Sequence, residues 1–271
     1  MQTFEEHKEW VADVFDKVSE DYGAQFFSYF GNKWAQETLL PDNPRILDVA
    51  TGKGAVLLPL AERLKKEKNL QKGELKGIDL SPNMIAHLQK IMEKEKVQGV
   101  QVLCMDAESL TFPSHYFDVV FCHFALPFFS HLEKGLQEIK RVLKPGGMFY
   151  PAIIYERPDI QVACLKHMRS VIGDLKNILR WSEESPLPDF KEVMAKVGFQ
   201  EEFIDIHSYT VYFPDFDKWW KLMHSHGYRG YFDQLSLEES EEVKRRTKQD
   251  YEKKSSLPFT TKVLHAGLKN P

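Results

Sequence analysis

At 271 residues, with 42% hydrophobic and 28% charged residues, the chain is long enough for one large domain with an elaborated cap and has an ordinary globular composition. A formal net charge of −4 gives no global attraction for nucleic acid or for an anionic membrane. Cys104, Cys122 and Cys164 are too few and too widely spaced for a disulfide framework or a zinc pattern, and neither a signal peptide nor a membrane span is visible, so a reducing, cytoplasmic setting is expected.

Residues 3–40 read as two helices. Trp10, Val14, Phe15 and Val18 recur at helical spacing, as do Phe26, Phe27, Phe30 and Trp34, with a break from Ser19 to Gly23. Because both precede the first strand, they are expected to pack outside the sheet or to cover its mouth. The first strand is 45–50, with Pro44 at its edge. It runs into Thr51-Gly52-Lys53-Gly54, where two glycines allow a tight turn into a helix over 54–68. Residues 74–79 form a second strand, ending at Asp79. Ser81 caps the next helix with Pro82 in its first position, and Met84, Ile85, Leu88 and Met92 mark the buried face.

A third strand spans 100–104 and a fourth 117–123. Cys104 and Cys122 fall at apolar strand ends, where buried thiols are common. A helix over 130–143 stops at Lys144-Pro145-Gly146-Gly147, which leads into a fifth strand over 148–154. Helices over 158–179 and 190–197 follow, separated by a Pro-rich turn at 184–189. A sixth strand covers 200–212, a polar, aromatic-bearing helical segment 215–254, and a last strand 260–268. The alternation predicts an α/β fold of Rossmann-like kind: seven mostly parallel strands, helices on both faces, N-terminal helices, and a helical, aromatic cap inserted at about 213–258 before the last strand. The whole chain reads as one domain, with a cover (1–40), a cofactor-binding core (41–154) and an acceptor-side half (155–271).

In such sheets ligands sit at the carboxyl ends of the strands. Asp48, Asp79 and Asp106, the last followed by Ala107 and Glu108, gather there with the glycine turn, and His123 follows the fourth strand. A nicotinamide fingerprint needs a third glycine where this chain has Leu57, and no P-loop is present. A cofactor with ribose hydroxyls, an exocyclic amine and net positive charge suits the acidic strand ends. S-adenosylmethionine has all three.

Five stretches carry a family resemblance. LDVATGKG (47–54) resembles the first motif of class I S-adenosylmethionine-dependent methyltransferases, with Ala50 where the first glycine often stands. GIDLSPNMI, DAESLTFPSHYFDVVFC and RVLKPGGMF resemble the later motifs in order, and Gly198-Phe199 extends the match. The wording is closest to the small-molecule branch that includes the ubiquinone and menaquinone C-methyltransferases. VFDKVSEDYG (14–23) is similar to that branch's N-terminal element, whose tyrosine, here Tyr22, lies near the cofactor.

The resemblance implies roles. The backbone at Ala50, Thr51, Gly52 and Gly54 would approach the ribose and methionyl portion, while Asp48 orders the turn or reaches the ammonium through water. Asp79 would accept from both ribose hydroxyls, a task suited to a carboxylate. Leu80 and Met84 would flank the adenine, Asp106 would accept from its amine, Ala107 would donate a backbone N–H, and Glu108 stands beside them. Methyl transfer from a sulfonium requires mainly alignment, with a base only for a nucleophile of high pKa. His123 is the first candidate base and equally a pocket wall; Tyr155 is the second.

CHFALPFF (122–129) reads as an apolar wall favouring a small, partly hydrophobic acceptor methylated at oxygen or carbon. The aromatics of 206–260 are too many for the core of a short insertion and, together with the helix over 158–179, read as a lid over the acceptor. His224 and His226 lack the partners of a metal site, and Lys244 to Lys248 alternates with acids as a solvated helix face does. No metal, nucleic acid or membrane partner is expected, and oligomeric state is not readable. The rival readings are a catalytically silent partner subunit, motivated by the lack of a compelling base, and a nicotinamide oxidoreductase, disfavoured by Leu57.

Overall fold

The computed structural model describes residues 3–20, 25–67, 73–172, 187–213, 215–254 and 258–271. The strands are β1 Arg45–Val49, β2 Glu74–Asp79, β3 Val100–Cys104, β4 Phe117–His123, β5 Leu143–Glu156, β6 Gln200–Val211 and β7 Phe259–Lys269. They form one sheet in the order β3-β2-β1-β4-β5-β7-β6. The first five are parallel, and β7 runs antiparallel to both β5 and β6. Strand order reverses between β1 and β4, which opens a crevice at their carboxyl ends.

Helices α3 Leu57–Lys66 and α4 Pro82–Glu95 lie on one face, and α5 Leu132–Val142 and α7 Leu187–Val197 on the other. The two-residue period of β1 divides its side chains between these layers. Leu47 and Val49 join the core beneath α5 and α7, whereas Ile46 joins the one beneath α3. Ser81 caps α4 as expected, its hydroxyl accepting from the Met84 N–H at 3.0 Å. Helix α3 starts three residues later than the sequence implies. Gly54 has φ +83°, a left-handed residue that a continuous helix cannot contain. Strand β5 is longer at both ends than 148–154, because Asn270 pairs with Gly146 and Gly147 and keeps the turn residues in the ladder.

α1 Phe4–Val18 and α2 Gln25–Glu37 cover the crevice. α6 Asp159–Ile172 packs with α8 Phe216–Met223, α9 Arg229–Phe232 and α10 Leu237–Lys254. The prediction that the cap aromatics are too many to be core is corrected here. Phe216, Trp219, Tyr228, Tyr231 and Phe232 are all buried with Ile160, Leu165 and Met168 of α6. Their partners come from an element outside the insertion, which raises the core the cap can fill. Cys104 is exposed, because β3 is a sheet edge, whereas Cys122 and Cys164 are buried; all three are free thiols. Arg245 and Arg246 each pair with Glu242 at 2.7 Å on α10 itself. Among the described residues no helix is long and apolar enough to cross a membrane.

Candidate functional site: a cofactor crevice beside an aromatic cavity

The turn after β1 is held from both sides. Ala50 and Gly52 take φ 55° and 53°, and the Thr51 N–H donates to the Ile78 carbonyl at 2.8 Å. The Thr51 hydroxyl donates to Asp48 at 2.6 Å. Burial pushes the Asp48 pKa up to about 7 against that hydrogen bond. At the end of β2, Asp79 accepts from the Gly52 N–H at 2.8 Å through one oxygen and from the Ser81 N–H at 2.9 Å through the other. Its pKa is raised to about 6, again by burial, with the backbone bonds opposing. Each Asp79 oxygen keeps a second lone pair, so two hydroxyls can still be accepted.

A cavity of about 90 Å³ lies above these groups, lined by Ala50, Gly52, Asp79, Leu80, Met84, Asp106, Ala107, Glu108 and His123. Asp48 and Thr51 line an adjoining space of about 80 Å³ that shares Ala50, Gly52 and His123 with the first. Gly54 lines neither. A Cβ there would lie 2.7 Å from a Leu88 methyl, so its role is to let the turn rest on α4. Tyr22 lies outside the described residues, as do residues 173–179 of the helix expected over 158–179 and residues 184–186 of the expected turn. Four carboxylates around one crevice, two of them offering acceptor pairs to hydroxyls or an amine, fit a cationic nucleoside cofactor.

Helix α1 supplies what sequence reasoning missed. Lys8 Nζ is 2.8 Å from Asp106 and 3.1 Å from Glu108, which is itself 2% exposed. About two turns further along α1, Asp16 accepts from the Ser81 hydroxyl and from the Asn83 N–H. Lys8, Val11, Ala12 and Phe15 all line the cofactor cavity. Their i, i+3, i+4, i+7 spacing was the available signal, hidden because Lys8 reads as solvated.

The two candidate bases separate. His123 stands at the junction of the two cofactor-side spaces, edge-on to Trp34 at 4.9 Å, and burial drives its pKa down to about 3. Tyr155 is corrected: its ring packs with the core on the α5 side and lines none of the three cavities. Ile154, one residue earlier, faces the large aromatic cavity instead, because successive strand residues point to opposite faces. The residue that meets all three cavities is Phe124, a non-glycine at φ 61° whose N–H donates to the Ala152 carbonyl at 2.7 Å. Left-handed backbone costs a bulky residue on the order of 1 kcal/mol and is kept where the surroundings enforce it.

Beyond Phe124 lies a cavity of about 340 Å³ walled by Phe27, Phe128, Tyr209, Phe213, Trp219 and Phe259 among others. The wall expected from CHFALPFF is thus divided. Phe124 and Phe128 face both cavities, Phe129 joins the core and lines the smaller, cofactor-side one, and Leu126 is core alone. Of the histidine pair, His226 lines the large cavity and His224 stacks on Phe232 at 3.8 Å.

Sheet order, switch-point crevice and acidic strand ends together define a class I S-adenosylmethionine-dependent methyltransferase. The chain belongs to this family. A family pattern described as a methyltransferase domain matches residues 47–150. A demethylmenaquinone methyltransferase of Lysinibacillus sphaericus is 30% identical over 200 residues, covering 69% of this chain and 75% of that protein. Aklanonic acid methyltransferase of a Streptomyces species is 29% identical over 144 residues, 52% of this chain, and the match spans only 63% of that relative's length. The crystal structure of an S-adenosylmethionine-dependent methyltransferase from Aquifex aeolicus gives a TM-score of 0.53 at 20% identity, over 70% of this chain and 90% of that one. That likeness speaks to the fold alone. The expected fold, enzyme class and cofactor hold, and the nicotinamide reading falls.

Proposed function

We propose that this methyltransferase acts on a small, partly hydrophobic acceptor, at oxygen or carbon, held in the 340 Å³ cavity against Phe124. The observation that carries the reading is the shared wall. Phe15, Phe124 and Phe128 line both that cavity and the cofactor crevice, so a ligand on each side would meet there. The names of the demethylmenaquinone relatives make hydroxylated naphthalene rings the first acceptors to try. Three free thiols and an acceptor-sized cavity support a small-molecule role in a reducing cytoplasm, and we read the chain as one domain with a cap.

S-adenosylmethionine supplies an already activated methyl group on a sulfonium. The residues have the tasks of holding, orienting and excluding water. Asp79 would accept the ribose hydroxyls, Leu80 and Met84 would flank the base, and Asp106 and the Ala107 N–H would meet its edge, with Lys8 holding Asp106 in place. Asp48 and Thr51 order the turn. His123 and Phe124 would close the floor between the two ligands. The silent-subunit reading rests on the lack of a base, which transfer from a sulfonium requires only for a nucleophile of high pKa.

Calorimetry with S-adenosylhomocysteine tests the site. Asp79→Ala is expected to weaken binding by about 100-fold or more, since two charge-assisted hydrogen bonds are lost. Unchanged affinity in that variant overturns the assignment of Asp79. A screen of labelled cofactor against naphthols, quinols, fatty acids and small amines tests the acceptor class, and turnover confined to the amines counts against it.

A further inference from the structure

Between α8 and α9 the cap turns through residues 224–228, and the two histidines there have different surroundings. His224 is engaged: its Nδ1 lies 2.8 Å from the Trp220 carbonyl, and its ring stacks on Phe232. His226 lines the 340 Å³ cavity, and its Nδ1 is enclosed with no hydrogen-bond partner. Two main-chain bonds fix the turn. The Ser225 N–H donates to the Leu222 carbonyl at 3.0 Å, and the Arg229 N–H to the His226 carbonyl at 2.8 Å. With Nδ1 enclosed, Nε2 is the nitrogen left to meet a ligand. A polar group on a fixed backbone in a chamber walled by aromatic rings is what orients a bound molecule.

The position is the cofactor end of the chamber. Gly227 rests on Phe128 so closely that a Cβ there would lie 2.6 Å from the ring's Cζ. The His226 ring stands edge-on to Phe27 at 6.4 Å, and Phe27 in turn lies 5.2 Å from Phe124. Phe124 and Phe128 are walls shared with the cofactor crevice. The Tyr228 ring lies 5.2 Å from His226, its hydroxyl accepting from Arg157 Nε at 2.7 Å. Burial drives the His226 pKa down to about 4, against a favourable contact with its own main chain, so at neutral pH the imidazole is uncharged. A neutral ring whose proton sits on Nδ1, toward the main chain, offers Nε2 as an acceptor. Such a group suits an un-ionised hydroxyl and has nothing to donate to a carboxylate or phenolate.

We infer that His226 is a specificity residue, its Nε2 accepting a hydrogen bond from an uncharged hydroxyl that the acceptor carries at its cofactor end. The acceptor is then an aromatic alcohol, neither a bare hydrocarbon nor an acid at that end. The methylated atom is that oxygen or the ring carbon beside it. This rests on the reading of the cavity as the acceptor site and names the group that orients the acceptor within it.

The test compares 1-naphthol with 1-methylnaphthalene, which match in shape and differ in the hydroxyl, by calorimetric titration of the full chain without cofactor. The quantity read is the ratio of the two affinities, in which the difference in hydrophobicity between the probes cancels from one variant to the next. His226→Met is expected to lower that ratio by about threefold to tenfold, the size of one neutral hydrogen bond. His226→Gln, whose amide reaches about as far as Nε2, should restore most of it. Nitrogen-labelled histidine gives a reading on the wild type and carries the test if His226→Met fails to fold. There 1-naphthol should shift the Nε2 resonance that is missing from His226→Gln, and 1-methylnaphthalene should leave it in place. Gln161 lines the same cavity from the first turn of α6 and supplies the comparison. A ratio unchanged in His226→Met, a ratio lost in Gln161→Leu instead, or an Nε2 resonance indifferent to 1-naphthol overturns the proposal and leaves the acceptor cavity standing. Failure of both probes to bind the wild type removes the cavity reading itself, and the role of His226 with it.

Discussion

Burial lowers the His123 pKa to about 3 while its ring lies edge-on to Trp34 and near His265, so at neutral pH the imidazole is an uncharged wall and a weak base. His123→Gln is therefore expected to lower kcat by less than about tenfold and to leave the pH profile unshifted. A general base would contribute about 10²- to 10⁴-fold, and a loss of that size would restore the base assignment. Asp79 gives the pH dependence. Its folded pKa of about 6 lies above the ordinary carboxylate value of 3.8, so between the two the free protein holds a proton there that the unfolded chain has lost. That contribution to stability is complete at low pH and is lost as pH rises through about 6. Ribose hydroxyls need the carboxylate, so cofactor affinity runs the other way. It should fall as pH drops below about 6, by up to about tenfold per unit, with Asp48 adding to the fall from about 7. Affinity for S-adenosylhomocysteine that stays flat from pH 8 to 5 contradicts this.

At the scale of elements, the contact of α2 with the cofactor turn is set by one missing side chain. A Cβ on Gly31 would stand 2.0 Å from the Ala55 carbonyl oxygen, which is backbone and cannot swing aside. Helix propensity alone would make Gly31→Ala stabilising by about 1 kcal/mol. The overlap is larger, and overpacking of this kind costs about 1–3 kcal/mol or more. The urea midpoint of Gly31→Ala should fall; a rise would show that α2 shifts freely. α1 behaves as a second strap, tied through Lys8 at one end and Asp16 at the other, so the cover and the crevice act as one unit.

For the molecule as a whole, the cofactor would bridge α1 to β1, β2 and β3, while the cap keeps a core of its own. Ligand binding to the folded form alone adds about 2.7 kcal/mol at a hundredfold excess over Kd. For a chain of 271 residues that corresponds to about 5–10 °C in Tm. S-adenosylhomocysteine should produce such a shift without any acceptor. A second, earlier melting transition that ignores the ligand would show the cap unfolding separately from the crevice.

The sequence by itself determined the strands and helices, the Ser81 cap, and the acidic strand ends, because each follows from period, cap chemistry or turn chemistry within a few residues. The parallel-sheet rule then brought Asp48, Asp79 and Asp106 to one crevice, and motif order supplied the cofactor. Only the tertiary structure decided the rest. Lys8 meets Asp106 across 98 positions and Arg157 meets Tyr228 across 71. No local pattern encodes such pairs, since they depend on how α1 and the cap settle on the sheet. Tyr155 faced the wrong side because a side chain's face depends on the exact register of β5, and one residue changes it. Phe124 became the shared wall through a left-handed backbone that packing imposes on a residue whose own preference is otherwise.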